Sequence, residues 1–250
     1  MWLEKWYADC VTGDEIQVQY LARLHLGPLC VSYSGRLGQE RSSEIRIGAS
    51  GFDMPSLDER GMQWPCHPTN EKLVWSDAYS RPIQLWKERD QAVTWNPLVL
   101  NGSVFRPGRR KIGQGYAEKL TLSLAPWSLG IRRLKWGRFC GSCHSLVWIE
   151  WEGNIPNRIA LLDGQHQALL CAERTEIRTE QSRLLIERPK EIVSESIGEG
   201  ALKALGVLRM FAASRFLSGI ETKWLATASL EYQGALIDRG SVVYEEVQWQ

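Results

Sequence analysis

The chain has 250 residues, with 30 Lys and Arg against 29 Asp and Glu, a formal net charge of +1. That length builds one large all-β domain or two of about 125 residues, and it buries enough surface to fold without disulfides or metal. The charge balance lacks the basic footprint of a nucleic-acid binder, and a content of 44% hydrophobic and 24% charged residues excludes a disordered chain. The opening Met1-Trp2-Leu3-Glu4-Lys5-Trp6 has no basic start leading into an apolar run, so no signal peptide is expected. The six cysteines then read as reduced thiols of a cytoplasmic protein. Ile16, Val18 and Tyr20 alternate with Glu15, Gln17 and Gln19, the period of a half-buried strand. Gly48 to Pro68, rich in Gly, Pro, Ser and Asp, reads as a long loop. Asn101-Gly102 between Leu98-Val99-Leu100 and Ser103-Val104-Phe105 predicts a hairpin. Leu120, Leu122 and Leu124 alternate with polar residues, and Leu146–Trp151 and Val242–Trp249 are aromatic-rich strands. One segment follows the other period. Leu202, Leu205, Leu208, Ala212 and Phe216 predict an amphipathic helix near 199–218, stopped by Ser218-Gly219. Lys203, Arg209 and Arg215 interrupt it too often for a transmembrane span.

A faint repeat divides the chain. Lys5-Trp6-x-x-x-Cys10 recurs as Lys135-Trp136-x-x-x-Cys140, an offset of 130. Each copy runs into an alternating strand and then a turn glycine, Gly35 and Gly164. This predicts two related β-halves, 1–125 and 126–250, meeting near Pro126, each a sandwich or barrel.

Several motifs carry no chemistry on inspection. Cys140-Gly141-Ser142-Cys143-His144 satisfies the c-type haem attachment pattern, but it lies between two strands and reads as a hairpin turn. Cys66-His67 with Cys143-His144 is not a zinc register. Gly113-Gln114-Gly115 lacks the third glycine and the Lys-Ser/Thr pair of a phosphate loop. No metal and no cofactor is expected.

The twelve tryptophans suit either a heavy β core or the wall of a pocket for an apolar, ring-shaped ligand. In a strand starting near Tyr116, the phenol of Tyr116 and the carboxyl of Glu118 share one face. Arg138, between Trp136 and Phe139, would be costly to bury alone and needs a carboxylate such as Glu118. A structural Arg–Glu pair and a functional one fit these residues equally.

The run Gly113-x-Gly115-Tyr116-x-Glu118, then Pro126-Trp127, Leu134-x-Trp136-Gly137-Arg138-Phe139, Leu146-Val147-Trp148-x-Glu150-Trp151 and the closing Gly240-x-x-x-x-Glu245-Glu246-Val247-x-Trp249 resembles the hydroxyneurosporene synthase, or carotenoid 1,2-hydratase-like, family. The resemblance is best over Trp95–Trp151 and Val242–Trp249, and little of it covers Gly38–Asp90. It implies two calycin or lipocalin-like β-halves packed together, with the helix added and an aromatic pocket near their junction. It is also distantly similar to tocopherol cyclase and to lipocalin-like natural-product cyclases. The family's hydratases use the acid of a Tyr-x-Asp motif, which Tyr116-x-Glu118 matches with Glu in place of Asp; Trp95 is the nearest counterpart of an important upstream Trp.

The expectation is therefore a cofactor-free enzyme that cyclises, hydrates or isomerises a hydrophobic isoprenoid- or polyketide-like molecule, or assists a pericyclic reaction. Glu118, its pKa raised by an apolar wall, would protonate an alkene or enol, and Tyr116 would orient it. Trp95, Trp136 and Trp148, with Phe139 beside them, would face a developing cation, and Arg138 would polarise a carbonyl. The alternative is a non-catalytic carrier of an apolar molecule. A Trp-lined carbohydrate-binding module is a third reading, without the export signal such modules often carry. The expected partner is a hydrophobic small molecule, with no nucleic acid and no membrane span; oligomeric state is not encoded in any motif.

Overall fold

The structure is a computed structural model that describes residues 1–38, 42–48, 52–66, 71–106, 108, 110–197 and 218–249. The helix expected near 199–218 lies almost wholly outside the described residues. The chain divides into two compact units, Met1–Ser128 and Leu129–Gln250.

The first unit holds β1 (Trp2–Thr12), β2 (Glu15–Leu26), β3 (Leu29–Leu37), β4 (Ser42–Ile47) and β5 (Ser56–Asp58). It continues with β6 (Gly61–Cys66), β7 (Glu71–Trp75), β8 (Ile83–Glu88), β9 (Gln91–Arg106) and β10 (Arg110–Leu122). A 3-10 turn, Pro126–Leu129, follows. The second unit holds β11 (Ile131–Gly141), β12 (Ser145–Gly153), β13 (Asn157–Leu162), β14 (Gln165–Gln167) and β15 (Leu169–Ala172). It ends with β16 (Glu176–Thr179), β17 (Ser182–Ser196), β18 (Ile220–Tyr232) and β19 (Ala235–Gln248).

Every pairing is antiparallel, and each unit has its own sheet. The first runs β4-β3-β2-β1-β10-β9-β7-β6-β5, with β8 also on β9; the second runs β14-β13-β12-β11-β19-β18-β17-β16-β15. The plan is the same in both: the unit's first strand pairs with its second and with its last. Alternation gives each sheet a core face. In the first unit that face carries Trp6, Ala8, Cys10, Leu21, Met62, Trp75, Leu98 and Ala117. Residues of β1 and of β6 meet in one cluster although they lie four strands apart in the order, so the sheet curls round its core. Phe139, Leu146, Trp148, Leu184, Trp224 and Tyr244 form the corresponding cluster in the second unit.

Three local expectations are corrected. Asn101-Gly102 is no turn: β9 passes straight through it, because a side chain at Gly102 would meet the Ser76 carbonyl at 2.4 Å. Close backbone approach explains that glycine, and the chain reverses instead around Gly108, at φ +82°. The expected loop over Gly48–Pro68 contains the β5–β6 hairpin. Gly35 lies inside β3, paired with Tyr20, whereas Gly164 is in a turn with Asp163, both at positive φ. The Cys140–His144 segment is the β11–β12 turn, with neither Cys140 nor Cys143 in a disulfide.

Candidate active site

The face of the first sheet opposite its core is where the polar chemistry gathers. Trp6, Ala8 and Cys10 point into the core, so Tyr7 and Asp9 point the other way. On β10, Ala117 points into the core, so Tyr116 and Glu118 do not. Register places Tyr7 directly opposite Glu118 on β10 and opposite Tyr20 on β2. From β9, Trp95 reaches the same face. Trp95 Nε1 donates to Glu118 Oε2 at 2.6 Å, and the Tyr116 hydroxyl donates to the same oxygen at 2.7 Å. Trp95 and Tyr116 are fully buried and Glu118 is 9% exposed.

Beside this trio stands a second acid that the sequence reading missed. Asp9 is 0% exposed. Its Oδ2 accepts from the Tyr7 hydroxyl at 3.0 Å, and its Oδ1 from the Tyr116 backbone N–H at 3.3 Å. The Asp9 carbonyl accepts from Trp75 Nε1 at 2.7 Å. Glycine permits this approach: a side chain on Gly115 would lie 1.9 Å from the Asp9 carbonyl oxygen. β10 is bulged against β9 on both sides of Ala117, and Pro97, which has no N–H to give, stands opposite Glu118. The rings close the wall, with Tyr7 edge-on to Tyr20 at 5.4 Å and tilted to Tyr116 at 6.3 Å. Burial, then the charge of Glu118 beside it, raises the Tyr116 phenol well above the ordinary tyrosine value, so it stays a proton donor.

A signal for Asp9 was present in the sequence. Tyr7-Ala8-Asp9 and Tyr116-Ala117-Glu118 are two copies of Tyr-Ala-acid, and the structure lays them side by side on antiparallel strands.

The other expected residues lie in the second unit. Phe139 and Trp148 belong to its core cluster, with Trp148 packed over Gly137. Trp136 and Arg138 alternate with them along β11 and point to the opposite face, so these four do not share one wall. Arg138 is fully buried and donates to the Ser241 carbonyl at 3.3 Å and hydroxyl at 3.1 Å. Among the described residues no three metal-ligating side chains converge. No described helix is long and apolar enough to cross a membrane.

No protein-family profile and no curated protein matches this chain. Solved structures do. Kievitone hydratase from Nectria haematococca superposes with a TM-score of 0.53 at 12% identity, over 98% of this chain and 88% of that one. CghA superposes with a TM-score of 0.54 at 8% identity, over 99% of this chain and 88% of that one. At these identities the likeness is one of fold. The chain has an all-β, lipocalin-like fold.

Proposed function

We propose that this protein is an enzyme that protonates an unsaturated carbon of a hydrophobic isoprenoid- or polyketide-like molecule, leading to hydration, isomerisation or cyclisation. The observation that carries the reading is the double hydrogen bond to one oxygen of Glu118, from Trp95 and Tyr116. Two donors occupy Oε2, so a proton that Glu118 takes up and transfers resides on Oε1, and the carboxyl plane is fixed. Proton transfer to an alkene carbon breaks the π bond, forms a C–H bond and leaves a cation on the neighbouring carbon. Tyr7, Tyr20 and Trp95 offer ring faces to such a charge; a desolvated cation–π contact stabilises by roughly 2 kcal/mol. Water then adds to the cation and returns a proton to a carboxylate, for a net gain of H₂O. Loss of a neighbouring C–H proton to a carboxylate gives isomerisation instead. Attack by a second alkene closes a ring and moves the cation onward, where loss of a C–H proton to a carboxylate gives the neutral cyclic alkene. The resemblance to carotenoid hydratases and the hydratase among the structural neighbours support this class of chemistry.

The test is turnover of acyclic isoprenoid alkenes and polyketide enols in D₂O and in H₂¹⁸O. Hydration incorporates ¹⁸O, whereas isomerisation and cyclisation by protonation incorporate deuterium alone. Glu118→Gln should lower turnover by about 10²–10⁴ with substrate affinity little changed. A folded Glu118→Gln protein with undiminished turnover removes Glu118 from the chemistry and overturns the reading. A parent protein that binds these probes but turns none of them over leaves the carrier of an apolar molecule as the better account.

A further inference from the structure

The core face of the first unit is not apolar throughout. At one end of β1 it turns polar, and among the described residues four buried polar atoms there have no hydrogen-bond partner: Trp6 Nε1, Arg23 Nε, Ser32 Oγ and Asn96 Oδ1. Their placement is not scattered. Register sets Ser32 directly opposite Arg23, Arg23 opposite Glu4, Trp6 opposite Lys119 and Lys119 opposite Asn96. Directly opposed residues share a face, so all six line one band across β3, β2, β1, β10 and β9. Trp6 is itself part of the core cluster, which fixes that face as the inner one. Neighbouring strands are about 4.8 Å apart and diagonal neighbours about 7–8 Å. The Trp6, Arg23 and Ser32 donors therefore fall within reach of one small group, with the Asn96 oxygen further round the wall.

The charges in the band do not balance. Lys119 is paired with Glu4 and lies over the Trp6 ring at 4.8 Å. On β4, opposite Ser32, Arg46 is paired with Glu44 at 3.0 Å. Arg23, a cation, has a neutral partner, the Phe52 carbonyl at 3.1 Å. Ser32 is 1% exposed and Trp6 8% exposed, so solvent does not answer these groups. Ordered water would satisfy a hydroxyl or an indole N–H; it brings no negative charge to Arg23.

We infer that this band is a binding site for a small organic monoanion, a carboxylate held by Arg23, Trp6 and Ser32, with its apolar body on the Trp6 side of the band. A donor group on that body would meet Asn96. The site is on the opposite face of the sheet from Glu118, and it does not depend on the chemistry proposed there.

Calorimetric titration of the full chain tests it, with acetate, 2-naphthoate and dodecanoate as probes and 2-naphthamide and dodecanamide as neutral counterparts. One of the two larger carboxylates should bind one-to-one, at least tenfold tighter than its amide and than acetate. Arg23→Met should weaken it tenfold or more, and Trp6→Phe and Ser32→Ala several-fold each. Trp6→Phe keeps the ring under Lys119 and removes only the N–H, so it carries the test if Arg23→Met does not fold. Glu118→Gln should leave the affinity unchanged. The inference fails if no carboxylate binds, if an amide binds as tightly, if both conservative variants bind like the parent, or if Glu118→Gln is the change that abolishes binding.

Discussion

At the scale of single residues, what distinguishes this face is that each buried acid is met by donors aimed at it. Trp95→Phe keeps the ring and deletes one of the two donors on Glu118 Oε2. A hydrogen bond to a charged group is worth about 1.5–3 kcal/mol, so urea unfolding should show a loss in that range or slightly below. Asp9→Ala leaves the Tyr7 hydroxyl and the Tyr116 N–H without their acceptor. Two buried donors left unanswered cost about 2–4 kcal/mol, and a loss under 1 kcal/mol would show that Asp9 holds nothing in place. Tyr116 gives a pH signature whose sign follows from its raised folded-state value. Its contribution is complete below the ordinary tyrosine value of 10.0 and is lost as pH climbs from there toward the folded value. Above pH 10 the parent should lose stability more steeply than Tyr116→Phe, by at most about 1.4 kcal/mol per pH unit.

At the scale of elements, the β11–β12 turn shows how a strand from elsewhere in the sheet fixes a hairpin. The Asp238 carboxylate, on β19, accepts from the Ser142, Cys143 and His144 N–H groups and from the Ser142 hydroxyl. Burial works to raise its pKa, but these four donors outweigh burial and hold it well below the usual carboxylate range. A depressed value contributes stability above the unfolded carboxylate range, lost as pH falls through the folded value. Asp238→Ala should therefore destabilise by about 2–4 kcal/mol at pH 7, with the gap to the parent narrowing between pH 4 and pH 2. The hairpin itself was legible, since CGSCH stands between two strong strand patterns. So were the strand at Ile16–Tyr20, where period two is strict, and those at Leu146–Trp151 and Val242–Trp249, which are rich in aromatic and β-branched residues. Asn101-Gly102 misled because turn chemistry and close backbone approach both select glycine, and only the Ser76 carbonyl tells them apart. Tyr116 and Glu118 were legible as neighbours on one face of one strand. Asp9 was signalled only by the second Tyr-Ala-acid copy, because it joins them through a pairing 107 positions away, whose register no local pattern encodes.

At the scale of the molecule, that same long-range pairing is the closing step of each unit. β1 lies between β2 and β10, and β11 lies between β12 and β19, so each unit's first strand is central in its own sheet. Every other neighbouring pair in the two orders joins strands closer in sequence. A strand in that position carries two ladders and, in the first unit, Trp6, Ala8 and Cys10 of the core. Its closure must meet loop entropy before the contacts on either side reward it, which places such units among the slower folders, on the order of milliseconds to seconds. Removal of residues 1–12 should thus do more than shorten the sheet. It separates β2-β3-β4 from β10-β9-β7 and leaves a row of unpaired backbone groups on each edge. The 13–250 chain should lose the cooperative unfolding of its first unit and the near-ultraviolet tryptophan signal of Trp64, Trp75 and Trp95. Alanine at Gln165–Gln167 in the edge strand β14 trims side chains of a terminal strand only and leaves its backbone ladder in place, and should lower the midpoint slightly while keeping the transition cooperative. Differential scanning calorimetry of the two variants beside the parent distinguishes these outcomes. If the 13–250 chain melts in the same number of cooperative transitions as the parent, then β1 is dispensable and the closing pair does not hold the first unit together.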